Sequence, residues 1–250
     1  MNIYENERID YVNDSLSLIQ KTDGLTFGTD ALLLAGYISG KYATAVELGG
    51  GSGIISMLLL TRAKVQKIEC VEIQDEYAEL IGRNAEYNSL SDRLTPVCTD
   101  VRSYVPEKEV ELVFTNPPYM KATSGAHNEK TAKSVARHEI HGDITDFIKC
   151  AARGLKFGGT FAAVYRPDRL CDIIAPMRNH GIEIKRMTFV HANVTAEPSM
   201  VLIEAKKGGK SGMHLTRPLI IYKDCSHSEY SEDMNYIMEN GSFPEGFKRQ

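Results

Sequence analysis

An excess of positive charge is the first thing missing from this 250-residue chain. Its 29 lysines and arginines face 33 aspartates and glutamates, a formal net charge of −4. That excludes a polycation coating nucleic acid along its length, so any nucleic-acid site has to be a local patch. Paired cysteines are missing too. Cys70, Cys98, Cys150, Cys171 and Cys225 are widely spaced with no C-x-x-C among them. Such spacing suits a reducing compartment and argues against a disulfide framework or a zinc site. Apolar runs such as residues 54–60 are too short to span a bilayer. The opening Met1-Asn2-Ile3-Tyr4-Glu5-Asn6-Glu7 lacks the charged-then-apolar order of a secretory leader. A cytoplasmic protein with no membrane partner and no metal is expected, with a monomer favoured. No internal repeat or second domain is visible. At 42% hydrophobic the chain can bury a full core, and one large α/β domain is the natural expectation.

What is present begins with residues 43–48, an apolar strand pattern, followed by Gly49-Gly50-Gly51-Ser52-Gly53 and an apolar helix over 54–61. Strand, glycine loop and helix in that order make a nucleotide-binding turn, whose glycines let the backbone approach a ligand at the helix N-terminus. A dinucleotide fingerprint would need a third glycine where Ile54 stands. The second unit is a strand over 67–72, with Asp75 as the expected N-cap of a helix to about Asn88. Glu72, about twenty residues past the glycines, stands where an acidic group accepts hydrogen bonds from ribose hydroxyls; the alternative is a solvated glutamate. The third unit, 94–99, ends at Asp100, which could also cap a helix or turn.

The fourth unit carries the chemistry. Residues 110–114 form a short apolar run of buried-strand type, so Thr115-Asn116-Pro117-Pro118-Tyr119 sits at that strand's carboxyl end. Ligands bind there in open α/β sheets. Two prolines fix φ and donate no N–H, which stiffens the turn and leaves its carbonyls pointing outward. Asn116 sets an amide oxygen beside the Pro117 carbonyl, and Tyr119 adds a ring on which a planar group could lie. Two acceptors and a stacking face suit a planar NH2, either a base's exocyclic amine or a side-chain amide. Alone, the residues also fit a proline-rich turn with a chance aromatic.

Elsewhere, residues 15–20 alternate like a strand, and Thr29 or Asp30 is placed to N-cap an apolar helix over 31–38. A capped helix start is also an anion site, though a plain cap reads equally well. Residues 121–138 hold Lys121, Lys130, Lys133 and Arg137 against Glu129 alone, a local net of about +3. His138-Glu139-Ile140-His141 spaces its histidines three apart and is not the zinc motif. A capped helix is expected over 143–157, a fifth strand over 160–165, a helix over 169–180, and a final strand pair over 182–191 and 199–206. Gly208-Gly209-Lys210-Ser211-Gly212 lacks the spacing of a phosphate loop. Residues 185–223 carry Lys185, Arg186, Lys206, Lys207, Lys210, Arg217 and Lys223, net about +5. They are expected to flank the site with residues 121–138, unless the lysines simply keep a hairpin tip soluble.

Glu-Leu-Gly-Gly-Gly-Ser-Gly over 47–53 looks like motif I of class I S-adenosylmethionine (SAM) methyltransferases, and Asn-Pro-Pro-Tyr resembles the signature of amino-group methyltransferases. Over residues 19–221 the chain resembles the bacterial valine-tRNA adenine-N6-methyltransferases, on Phe27-Gly28-Thr29-Asp30, residues 47–53, Glu72, Asp100, residues 116–119 and Arg137-His138-Glu139. Relatives often carry Gly-x-Gly-Thr or Gly-Cys-Gly in the loop, a small departure.

The resemblance implies a doubly wound, mostly parallel seven-stranded α/β sheet with a terminal β-hairpin, SAM as cofactor and tRNA as partner. Cofactor contacts would come from Thr29, Asp30, Glu47, Gly49, Gly51, Gly53, Glu72, Asp100 and Asn116, with Asp100 meeting the adenine amine. Asn116, Pro117 and Tyr119 would be catalytic; Lys121, Lys133, Arg137 and His138 would hold RNA. The expected organisation is an N-terminal strand/helix extension over 1–40, the methyltransferase domain over 41–223, and an acidic, loosely ordered tail over 224–250. Three rivals stay open: a release-factor glutamine methyltransferase, for whose N-terminal domain forty residues leave little room; a guanine-N2 RNA methyltransferase; and a non-catalytic RNA-binding module.

Overall fold

The apolar runs that follow one another along the first half of the chain become parallel neighbours in one sheet. The computed structural model describes residues 3–22, 27–117 and 142–248. Its long strands are β3 (Tyr42–Leu48), β4 (Val65–Glu72), β5 (Leu94–Cys98), β6 (Val110–Thr115), β7 (Leu155–Tyr165), β8 (Ile182–His191) and β9 (Pro198–Lys207). They lie in the order β5-β4-β3-β6-β7-β9-β8. Pairing is parallel from β5 to β7 and antiparallel on both sides of β9, so β8 and β9 form the terminal hairpin. Two-residue strands β10 (His214–Leu215) and β11 (Leu219–Ile220) add to the outer edge of β8. The chain starts at β3, winds out to β5, and returns to β6 on the other side. The switch point where such sheets bind ligands therefore lies between β3 and β6.

Alternation explains why both faces are buried. Ala45, Ile68, Leu112 and Phe114 face one core cluster with helices α1 (Thr29–Tyr37), α2 (Ile54–Thr61) and α3 (Asp75–Tyr87). Val46, Leu48, Val71 and Val113 face the other, with α4 (Ile144–Gly154) and α5 (Leu170–Asn179). Strands covered on both faces read as continuous apolar runs, which is why they were legible.

Several boundaries differ from expectation. Helix α4 ends at Gly154, and β7 already begins at Leu155, opposite Val110. The register then shifts, with Gly158 at φ +76°, so one bulge absorbs residues that the periodicity assigns to helix. Gln74, not Asp75, caps α3; the Asp75 carboxylate instead accepts the Cys98 thiol at 2.8 Å. The polar lead forms β1 (Glu7–Asn13), antiparallel to β2 (Leu16–Lys21) in a separate two-stranded sheet. On its other edge β2 meets a side-chain ladder. Asn84 bonds both the N–H and C=O of Ile19 (2.7 and 3.0 Å), and Asn88 does the same for Ser17 (3.1 and 2.8 Å). Two asparagines four apart, Asn84 in α3 and Asn88 at its C-cap, thus pair like a neighbouring strand.

The tail corrects the expectation of loose order. Ser231 caps α6 (Glu232–Asn240), its Oγ accepting from Met234 N at 3.1 Å. Met234, Ile237, Phe243 and Phe247 join the same core cluster as α1 and α2. The Phe247 carbonyl accepts Arg186 Nη1 at 3.0 Å.

Candidate active site

Leu48 and Thr115 are register partners on β3 and β6, and Thr115 Oγ1 donates to the Leu48 carbonyl at 2.7 Å. Gly49 and Asn116 therefore leave adjacent parallel strands side by side, roughly 5 Å apart in the hydrogen-bonding direction. The glycine loop is tied back by Gly49 N and Gly50 N on the Val71 carbonyl (2.9 and 3.1 Å), and Gly53 is the left-handed N-cap of α2. At Gly51, φ is +55° and a Cβ would meet nothing within 4 Å: the bare backbone faces open space.

Glu72, buried at the end of β4, accepts Gly51 N at 2.9 Å with Oε2 and Gln74 N at 3.0 Å with Oε1. Its carboxylate thus abuts the glycine whose missing side chain opens that space. Glu47 lies beneath the loop. Its Oε2 accepts Ser56 N at 3.1 Å, the Ser56 hydroxyl, and the Cys70 thiol at 3.4 Å. Burial pushes its carboxyl up to about 7 despite those donors. Thr99 N bonds the Glu72 carbonyl at 3.0 Å, which brings the turn after β5 beside Glu72. Within that turn Asp100 accepts Arg102 N at 2.8 Å and both of its oxygens face the Arg102 guanidinium (2.5–3.0 Å), so it does cap a turn. With Arg102 about half exposed, that pair is weak enough to open for a ligand. Arg153 of α4 holds the turn from behind, donating Nη2 to the carbonyls of Val101, Arg102 and Tyr104.

Across the switch point, Asn116 Nδ2 donates to Asp30 Oδ2 at 2.8 Å. Asp30 lies in the first turn of α1, whose N-cap is Gly28, and its Oδ1 accepts Ala31 N at 2.9 Å; Thr29 opens the helix. The sequence, which offered Thr29 or Asp30, therefore placed the cap one or two residues late. A Cβ at position 28 would sit 2.7 Å from Asp30 Oδ1, so any larger residue there would push that carboxylate aside. Gln20 was missed. It is buried, its Oε1 accepts Phe27 N at 3.0 Å, and its Nε2 bonds Asp10. A polar residue in the inward phase of Leu16-Leu18-Gln20 was the available signal.

Pro117 follows Asn116 and is buried. Tyr119, Lys121, Lys133, Arg137 and His138 lie outside the described residues.

The second cationic stretch does not flank this edge as a whole. Thr160 pairs with both Leu112 and Lys206, four residues before Asn116 on β6, so Lys206 and Lys207 point to the opposite end of the sheet, roughly 13 Å away along the strand direction. Lys185 is buried on the carbonyls of Lys210 and Gly212, and Arg186 is buried against Glu204 at 2.7 Å and the Tyr37 ring at 3.9 Å. Arg217 pairs with Asp233 and Lys223 with Glu229. Among the described residues no group of three or more His, Cys, Asp or Glu is arranged to hold a metal ion, and no helix is long and apolar enough to cross a membrane.

The model of the methyltransferase small domain family matches residues 21–171, more than half of the chain. This chain belongs to the methyltransferase small domain family. Two proteins similar to this chain are each named tRNA1(Val) (adenine(37)-N6)-methyltransferase. The protein of Phocaeicola vulgatus is 26% identical over 180 residues, covering 72% of this chain and 76% of the relative. That of Pedobacter heparinus is 26% identical over 171 residues, covering 68% and 72%. Among solved structures, a predicted O-methyltransferase from Agrobacterium tumefaciens superposes with a TM-score of 0.68 at 22% identity, over 86% of this chain and 98% of that one, a likeness of fold. As a small-domain methyltransferase the chain uses SAM, and the residues present suit that donor: an open, glycine-lined loop with the buried Glu72 carboxylate beside it and the Asp100 turn next to that.

Proposed function

We propose that this enzyme transfers a methyl group to the N6 amine of an adenine in tRNA, the adenine next to the anticodon of a valine tRNA. The observation that carries the reading is the juxtaposition of Gly49 and Asn116 on register-paired strands, with the Asn116 amide oriented by Asp30. The relatives' names supply the substrate. When bound, SAM supplies an electrophilic methyl on a sulfonium. Gly49, Gly51 and Gly53 would receive it, Glu72 would take its ribose hydroxyls, and Asp100 its base amine once Arg102 gives way. Glu47 acts from beneath, by holding the loop to α2.

An aromatic amine is a poor nucleophile because its lone pair is delocalised into the ring. Hydrogen bonds from its two N–H groups to Asn116 Oδ1 and the Pro117 carbonyl favour a pyramidal nitrogen and return density to the lone pair. The surplus proton then leaves to water, and no strong base is required. Positioning and electrostatics provide most of the rate. Extruding a base costs a few kcal/mol, least in a loop, and stacking on Tyr119 would return roughly 1–3 kcal/mol. Lys121, Lys133, Arg137 and His138 would hold phosphates near the pocket.

The test is incubation with labelled SAM and total tRNA from a strain lacking this gene, followed by nucleoside analysis. Label in N6-methyladenosine of a valine tRNA is expected. Label in a protein fraction, or in a methylated guanosine, would overturn the reading.

A further inference from the structure

We infer that Asp30 is a positioning residue for Asn116, fixing and polarising the amide that receives the acceptor amine; this rests on the reading of Asn116 given above. A carboxylate has no hydrogen to give, so the Asn116 atom 2.8 Å from Asp30 Oδ2 must be Nδ2, the donor. Oδ1 is thereby the branch turned away from Asp30, and it is the acceptor that the chemistry needs. A flipped amide would present N–H groups to an amine that itself only donates there, and the site would repel its substrate. Asp30 thus selects the one productive orientation of two that are nearly equal in shape.

The carboxylate does more than select. Donation from Nδ2 to an anionic acceptor draws charge through the conjugated amide onto Oδ1. Linked hydrogen bonds strengthen one another by about 10–30% each.

Asp30 is itself well anchored. Its Oδ1 accepts Ala31 N in the first turn of α1, where the helix dipole favours an anion. Gly28 leaves just enough room for that carboxylate. Buried Gln20 grips Phe27 N, so the segment that carries Asp30 is fixed at its start without help from Asn116. The arrangement also counts against α1 as a seat for the donor's carboxylate, because an anion already occupies its first turn.

The experiment compares wild type, Asp30→Ala and Asp30→Asn by three readouts. Calorimetry gives affinity for SAM and its demethylated product. Single-turnover transfer to tRNA gives the rate at saturating substrate. In 15N-labelled protein, the Asn116 side-chain NH2 signal, identified by its loss in Asn116→Ala, reports exchange with water. The expected result for Asp30→Ala is a rate about 10- to 100-fold lower, by the usual cost of a misplaced active-site group. Both ligand affinities should stay within twofold, and the Asn116 amide should exchange faster than in wild type. Asp30→Asn, which keeps an oxygen acceptor without the charge, should slow the exchange again and recover part of the rate. A loss of donor affinity matching the loss of rate would overturn the inference and make Asp30 a donor ligand. So would an Asn116 amide whose exchange ignores residue 30. The exchange and affinity measurements need no turnover, so they decide the point even if the tRNA assay were to reject the proposed substrate.

Discussion

In the proposed reaction Asn116 would offer the acceptor amine an oxygen without formal charge, and Glu72 would offer the donor's hydroxyls a carboxylate. The two stand on different sides of the switch point and should fail differently. Asn116→Ala removes a preorganised acceptor for the amine, so transfer should fall by about two decades or more while SAM affinity stays nearly unchanged. Calorimetry beside a rate assay checks this; a variant that loses SAM as well would place Asn116 on the donor. Glu72→Ala should weaken SAM at least tenfold, since hydrogen bonds to a charged group contribute roughly 1.5–3 kcal/mol each. Unchanged SAM binding by that variant would mean that ribose lies elsewhere. The sequence singles out both positions because each closes an apolar strand, and the structure sets Glu72 against Gly51 and Asn116 against Asp30. Gln20 and Asp30's bond to Asn116 were less so: which polar groups meet across 86 residues of chain is decided by packing.

At the scale of elements, the turn from β3 to α2 depends on a group that is out of place in a core. Glu47 has an ordinary carboxyl near 4.5 and is pushed up to about 7 by burial. Below pH 4.5 the folded and unfolded chains both hold that proton, and there is no difference between them. Between 4.5 and 7 the unfolded chain ionises first, so folding loses stability as pH rises, and above 7 the full penalty remains, of the order of 3 kcal/mol. Glu47→Gln stays neutral throughout. Urea unfolding across pH 4.5–7.5 should show the stability of Glu47→Gln gaining on wild type as pH rises; a difference flat with pH would mean that Glu47 is not buried as described. The strand–helix units themselves were readable from apolar periodicity. The start of β7 was not, because a bulge breaks period two, and β1 was not, because it is mostly polar and none of its residues is fully buried.

At the scale of the whole molecule, charge along the sequence proved a poor guide to charge in space. Residues 185–223 look cationic in a line, yet strand direction sends Lys206 and Lys207 away from the catalytic edge and the core absorbs Arg186. The acidic tail misled in the opposite way. Its exposed carboxylates conceal Met234, Ile237, Phe243 and Phe247, all buried against α1 and α2. Phe247→Ala should therefore cost about 3–5 kcal/mol. That lowers Tm by roughly 10 °C in a chain of this size. A Tm within a degree or two of wild type would show the tail to be dispensable. The central claim, that the acceptor is an adenine amine held at Asn116, is met most directly by one comparison. Two synthetic valine-tRNA anticodon stem-loops are offered with labelled SAM, identical except that one carries purine in place of the adenine next to the anticodon. Label should enter the adenine-containing loop and be absent from the purine one, which has no amine to accept it; equal labelling of the two would contradict the account.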